Sequence, residues 1–329
     1  MREPPEQLDA ADLLEVVRRR WDADVDALEH LPVGFGAHHW AASAGGVRRH
    51  FVTFDRLLPK RDSSSLENAY ATAASLARSG LDFVLASSPT VSGYTVPLSG
   101  GAVSVTPWVD GRSGEGLFVD DDEVLETASL LGRLHASQVP AAIPLWTPML
   151  RPDLGVELAG RVTQPWHTGP FGEPAREAVR HRLPAIHEWV HRYVPLAERA
   201  VLAHRSWVPT HGEPDTGNHL MTSTRRYLVD WESLALAPRE RDLDGLVASG
   251  ADWRAAYASA DPDRDRDPDP DPDPQMLEMF DLEWRLSEIV EYSAWFRARH
   301  TGTASDTVAF EGLRDELDRP PRFVCDRHS

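Results

Sequence analysis

Two side chains are nearly missing from this 329-residue chain: it has one cysteine, Cys325, and one lysine, Lys60. A lone cysteine excludes a disulfide framework and a multi-thiolate zinc site. A lone lysine means that almost every basic position is an arginine, so any site that ordinarily uses a lysine must be served by another group. No run approaches the ~18 consecutive apolar residues that a membrane-spanning helix needs. The opening MREPPEQLDAADLLE is acidic and poor in apolar residues, unlike a secretory signal peptide. No membrane association is expected, and the expected location is the cytoplasm. His-Glu-x-x-His is absent, and the adjacent His38 and His39 would point to opposite faces of a strand, which argues against a dedicated zinc site. Absence of Gly-x-Ser-x-Gly argues against an α/β-hydrolase.

Positive charge is also scarce. Lys and Arg total 34 against 52 Asp and Glu, a formal net charge of −18. Such a field repels phosphate backbones, so nucleic acid is not an expected partner, whereas a cation would be attracted. Part of the excess is local: residues 261–275 hold seven Asp and two Arg, a net −5, which leaves −13 elsewhere. Hydrophobic residues at 41% and charged residues at 26% fit a globular protein with ample core.

Hydrophobic periodicity divides the chain into two parts. Leu13, Val16 and Val17 recur at helical spacing in 9–21. Strand-like segments at 27–43 and 47–55 follow, joined by a Gly45-Gly46 hairpin signal. A helix over 63–80 precedes short strands around 83–87, 94–99 and 102–109. Beyond Gly111 the pattern turns helical, over 122–137, 173–201 and 276–300, with a hairpin at 219–231. The Asp-Pro alternation at 261–274 carries too little apolar surface to offset its ordering entropy and reads as a disordered loop. The expected fold class is α+β: a small β-rich lobe, 1–107, ending in a hinge, and a larger helical lobe, 108–329.

The chemistry concentrates in THGEPDTGNHLMTSTRRYLVDWE, residues 210–232. Glu213 is followed five residues later by Asn218, and Asp230 stands beyond a hairpin. Phosphoryl transfer from a nucleotide needs such a set: a carboxylate to position the acceptor hydroxyl and take its proton, and hard oxygens to hold Mg²⁺ on the phosphates. An ordinary turn is the competing reading, because Pro214, Asp215, Gly217 and Asn218 are also common turn residues.

The segment His211-Gly212-Glu213-Pro214-Asp215-Thr216-Gly217-Asn218 resembles the His-Gly-Asp-x-His-x-x-Asn catalytic loop of aminoglycoside phosphotransferases. Leu228-Val229-Asp230-Trp231 is similar to that family's metal-binding strand end. Leu131-Gly132-Arg133-Leu134-His135 resembles the helix opening its large lobe, and Pro238 to Leu243 resembles its post-metal segment. The similarity covers roughly 30 to 300. It implies a protein-kinase-like fold, ATP or GTP as co-substrate with Mg²⁺, and phosphorylation of a hydroxyl on an aminoglycoside or another small molecule. Asn218 and Asp230 would be the metal ligands and His211 a support for the catalytic loop.

Several positions depart from the family pattern. Glu213 replaces the usual Asp; it carries the same charge on one more methylene, with a pKa only about 0.4 higher, so a role as base is retained. Asp215, where the family often has His, is the competing or assisting acid. Kinases place a lysine on the third strand to hold the α- and β-phosphates; here that position reads as Thr53. Glu67, the residue that such a lysine would pair with, reads instead as part of a helix cap. Gly34 and Gly36 would form the phosphate-covering loop, with a plain hairpin as the alternative. Adenine would meet the backbone of the 103–108 hinge, around Val105 and Pro107, and Trp108 reads as a buried aromatic at the lobe junction. A cationic acceptor, aminoglycoside- or aminocyclitol-like, fits both the resemblance and the acidity. An amino alcohol or sugar is the alternative acceptor, and a non-catalytic nucleotide-binding scaffold is the non-enzymatic rival.

Overall fold

The computed structural model describes residues 1–5, 7–57, 62–259 and 271–323. Lys60, Cys325 and residues 261–270 of the Asp-Pro stretch lie outside the described residues. The chain forms two compact units, Met1–Trp146 with Val208–Pro270, and Thr147–Trp207 with Asp271–Ser329. The first unit holds the sheet together with residues 210–232.

The first unit begins with α1 (Ala10–Arg20), capped by Asp9, whose side chain accepts from the Ala11 amide. Five antiparallel strands follow: β1 (Ala27–Leu31), β2 (His38–Ala44), β3 (Val47–Arg56), β4 (Thr95–Leu98) and β5 (Gly101–Pro107). Their order in the sheet is β1-β2-β3-β5-β4. Gly45 and Gly46 turn the β2–β3 hairpin at φ +57° and +78°, the positive values that such a tight turn demands. Strand alternation then gives the sheet two different faces. Trp40, Ala42, Val52, Phe54, Val103 and Val105 pack with Leu13 and Val17 of α1 in a buried apolar cluster. The opposite face carries His39, Thr53 and Ser104, which stand directly across from one another in the register.

Helix α2 (Ser63–Arg78) covers that second face, and Tyr70 reaches Asp55 of β3 with its hydroxyl at 3.1 Å. Asp62 immediately before the helix is its cap, accepting from the Ser65 amide at 2.8 Å. Glu67 therefore does not cap the helix as its sequence context predicts. It lies too far along, and its carboxylate instead accepts from the amides of Tyr94 and Thr95 at 2.8 and 2.9 Å, fixing the start of β4. The strand expected around 83–87 is reduced to a single bridge between Val84 and Leu228. Pro89 follows closely and offers no amide to extend the ladder.

The unit continues with β6 (Arg112–Ser113) and α3 (Asp121–His135), and resumes after the second unit's helices with β7 (Val208–Thr210), β8 (His219–Met221), β9 (Arg226–Leu228) and β10 (Ala235–Ala237). Strands β6, β8 and β9 form one small sheet, and β7 and β10 another. The short helices α6 (Asp244–Ser249) and α7 (Arg254–Ala258) close it.

The second unit is helical: α4 (Leu154–Arg161), α5 (Gly172–Leu202), α8 (Pro274–Arg297) and α9 (Ala304–Asp318). Asp273, at the end of the Asp-Pro stretch, caps α8 by accepting from the Gln275 amide at 2.9 Å, with Pro274 in the first turn where its missing amide costs nothing. Helices α4, α6, α7 and α9 are additions to the sequence reading. The antiparallel sheet of the N-terminal region and the helical C-terminal part match the α+β class expected. Among the described residues no helix is long and apolar enough to cross a membrane.

Candidate active site

The site is built on the turn that leaves β7. His211 is fully buried, and its amide and that of Gly212 each donate at 2.7 Å to one oxygen of Asp242. Both carboxylate oxygens are thus used to hold the backbone at the entrance to the loop. The Asp242 side chain also meets Nε2 of His135 at 3.1 Å, and the other ring nitrogen of His135 meets the Tyr257 hydroxyl at 2.7 Å. A carboxylate only accepts, so His135 donates through Nε2. Burial pushes the Asp242 carboxyl up, but the His135 hydrogen bond and the positive field of its neighbours, the Arg241 guanidinium among them, outweigh it and hold it below its ordinary value.

His211 links the two halves of the site. Its Nε2 lies 2.9 Å from the Val229 carbonyl, to which it donates, while Nδ1 accepts from the Glu213 amide at 3.3 Å. The ring also meets Trp231 edge-on, with centroids 4.6 Å apart. Burial lowers its pKa, so the neutral tautomer needed for this pair of bonds is favoured. Gly212 has φ +100°, and a Cβ there would stand 2.4 Å from the Arg241 guanidinium. Only glycine fits both constraints.

From this anchor the loop delivers Glu213, half-buried, with the Ser233 hydroxyl 3.5 Å from its carboxylate. Asp215 is exposed and caps the Thr216–Asn218 turn by accepting from the Gly217 amide at 2.7 Å. Asn218 donates its side-chain amide to the Glu213 carbonyl at 2.9 Å, and its own carbonyl accepts from the Val229 amide at 3.0 Å. The first bond commits the nitrogen and leaves the Asn218 oxygen as the group available to a ligand. The second ties the loop to the residue preceding Asp230. Asp230 is exposed and left-handed, with φ +69° and ψ +63°, at the start of the Trp231–Ser233 turn. A non-glycine residue in this region is strained, and such strain concentrates where a side chain must be aimed.

Three further acids or acid partners share this space. Glu232 is pushed well above the usual carboxylate range by burial and then by the charges of Asp230, Glu213 and Asp55. Tyr70 is raised by burial and by Asp55, Glu232 and Asp230. Sequence reasoning missed Asp55, Tyr70 and Glu232. The Asp-x-Glu spacing of 230 and 232, and the alternation that puts Thr53 and Asp55 on one face of β3, were the available signals.

The remaining expected site residues occupy varied settings. Gly34 and Gly36 lie in the β1–β2 connection at φ +65° and +94°. Thr53 is buried, with its hydroxyl 3.2 Å from Nδ1 of His39. The Val105 side chain belongs to the apolar cluster under α1, and its carbonyl already accepts from the Ser88 amide at 2.6 Å. Pro107 ends β5 and has no amide to offer. Trp108 is only half-buried, with the Arg48 guanidinium 4.8 Å from its ring and its indole nitrogen donating to Asp110 at 2.8 Å.

A family model described as "Phosphotransferase enzyme family" matches residues 7–272. The chain is 25% identical over 309 residues to "Protein StrN" of Streptomyces griseus, covering 91% of this chain and 89% of the relative. Among solved structures it is similar to a spectinomycin phosphotransferase in complex with ADP and spectinomycin, at TM-score 0.70 and 17% identity, covering 96% of each chain. It is also similar to an amicoumacin kinase in complex with AMP-PNP and Ca²⁺, at TM-score 0.57 and 12% identity, covering 98% of this chain and 97% of the other. At these identities the structural likeness speaks for the fold.

Proposed function

The chain belongs to the phosphotransferase enzyme family and is a small-molecule phosphotransferase; from that premise we propose that it moves the γ-phosphate of ATP or GTP to a hydroxyl of an aminoglycoside- or aminocyclitol-like antibiotic. The observation that carries the reading is the double tie of Asn218, to the carbonyl of Glu213 and to the amide preceding Asp230. It ties the segments that carry Glu213, Asn218 and Asp230 to one another, which supports reading them as one base and two hard oxygen donors.

In this reading the Glu213 carboxylate takes the proton of the acceptor hydroxyl. The acceptor oxygen bonds to the γ-phosphorus as the bond from that phosphorus to the β–γ bridging oxygen breaks, releasing the nucleoside diphosphate. The transition state is loose, so the main task of Glu213 is to orient the hydroxyl, and the longer side chain is compatible with it. Asn218 Oδ1 and the Asp230 carboxylate are the residues that would hold Mg²⁺, which supplies neutralisation of the phosphates' developing charge. Their chemistry fits: both are hard oxygens, and the Asn218 nitrogen is already committed elsewhere. The Asp242, His211 and Gly212 network fixes the loop backbone so that little reorganisation is needed during reaction.

Two observations support the acceptor class. One is the fold likeness to a spectinomycin phosphotransferase. The other is the net charge of −18, which favours an amine-bearing substrate. The test is phosphate incorporation across a panel of aminocyclitols, aminoglycosides, amino alcohols and sugars. Preferential labelling of an aminocyclitol or aminoglycoside is expected. Labelling of only a simple amino alcohol or sugar would overturn the acceptor class, and labelling of none would count against transfer itself.

A further inference from the structure

The sheet face that the phosphates would meet carries no lysine, yet one side chain there is held as though for a ligand. His39 of β2 stands opposite Thr53 of β3, and Thr53 stands opposite Ser104 of β5, so the three share one face. The His39 ring is stacked on Phe51 with centroids 4.9 Å apart and planes 30° from parallel. Its Nδ1 lies 3.2 Å from the Thr53 hydroxyl. Its Nε2 has no hydrogen-bond partner among the described residues and lies under Gly34: a Cβ on that glycine would stand 3.1 Å from this nitrogen. Position 34 favours glycine for its φ of +65°, and a Cβ there would crowd the imidazole edge beneath it.

The chemistry of the ring follows from its surroundings. Burial depresses His39 to about 4, so it is neutral near pH 7. A neutral imidazole has one donor and one acceptor nitrogen. When Thr53 donates to Nδ1, the hydrogen is left on Nε2, the nitrogen that faces the glycine loop.

We propose that His39 is a phosphate-contacting residue, its Nε2–H donating a hydrogen bond to a non-bridging phosphate oxygen of the bound nucleotide, with Thr53 setting the tautomer and Phe51 the ring plane. The proposal rests on the reading that a nucleoside triphosphate binds on this face. It gives the third-strand threonine a positioning role, and it replaces a charged lysine by an uncharged donor on the neighbouring strand.

The test is equilibrium binding of ADP and of adenosine, with GDP and guanosine in parallel, to the full chain and to His39→Ala, His39→Gln and Thr53→Val. A hydrogen bond to a charged acceptor is worth roughly tenfold to a hundredfold in affinity. His39→Ala is therefore expected to lose that much affinity for the diphosphate while its nucleoside affinity stays within about twofold. His39→Gln, which retains an N–H donor, should recover part of the loss. Thr53→Val, isosteric and lacking the hydroxyl, should show a smaller loss confined to the diphosphate, and it keeps the test open if His39→Ala fails to fold. An unchanged diphosphate affinity in His39→Ala, or equal losses for diphosphate and nucleoside, would overturn the proposal while the nucleotide reading stands. Failure of the unaltered chain to bind any of the four ligands would overturn both.

Discussion

His135 and Asp242, separated by 107 residues, share a buried hydrogen bond of 3.1 Å, and Asp242 in turn holds the amides of His211 and Gly212. The candidate loop is therefore tied through Asp242 to helix α3. Asp242→Ala would leave two backbone amides and an imidazole unsatisfied, at a cost of about 3 kcal/mol or more. Urea unfolding should show that loss, and phosphoryl transfer should fall with it because the Glu213 backbone loses its anchor. The carboxyl is held below its ordinary value, so its stabilisation is fully present above the unfolded value of about 4 and fades as pH falls further through the folded value. The stability difference between the unaltered protein and Asp242→Asn should accordingly be greatest near neutrality and shrink below about pH 4. A difference that grows on acidification would contradict this.

Glu213→Gln removes the proposed proton acceptor and keeps the side chain's length. The turnover number is expected to fall by roughly 10²- to 10⁴-fold, with nucleotide affinity retained, since the group acts on the acceptor hydroxyl. Unchanged turnover would transfer the role to another group, Asp215 being the nearest alternative in sequence.

Asp230 joins function to strain. Its φ of +69° is comfortable for glycine and costly for most residues. Asp230→Gly should relieve that strain and stabilise the fold by up to about 1 kcal/mol while removing the proposed metal-ligand carboxylate. A raised melting temperature together with lost transfer is the expected pair of results. A lowered melting temperature would mean that the carboxylate, rather than the backbone, dominates the local energetics.

Acidity makes a separate prediction about the acceptor. If an amine-bearing substrate is drawn in by the negative field, its apparent KM should rise as salt shortens the Debye length to about 8 Å near physiological strength. Steady-state kinetics at fixed Mg²⁺ and nucleotide would measure this. A flat salt profile for the best acceptor would assign the acidity to solubility alone.

Much of this architecture is legible in the chain. Leu13, Val16 and Val17 mark α1 by their spacing, Gly45-Gly46 marks the hairpin, and the 211–218 segment with Asp230 marks the candidate site. The misreadings share a cause: local pattern is silent about long-range partners. Residues 83–87 have strand-like composition, but they find one bridge on Leu228 rather than a ladder. Glu67 sits near a helix start, but its partners are amides 27 and 28 residues away. Asp55 and His39 are visible as alternating strand positions, yet only the register of three strands reveals that they share a face with Thr53. Helix α9 carries a local signal, the reciprocal Thr303–Asp306 capping box, that the periodicity reading passed over.

The most direct measurement is transfer of label from a γ-labelled nucleoside triphosphate to an aminocyclitol or aminoglycoside hydroxyl, with the unaltered protein and Asp230→Ala assayed side by side in Mg²⁺ and in chelator. The account expects labelled acceptor from the unaltered protein in Mg²⁺ only, and a loss of at least about a hundredfold in Asp230→Ala with its folded state preserved. Labelling of the acceptor by Asp230→Ala at the unaltered rate would contradict the assignment of the site.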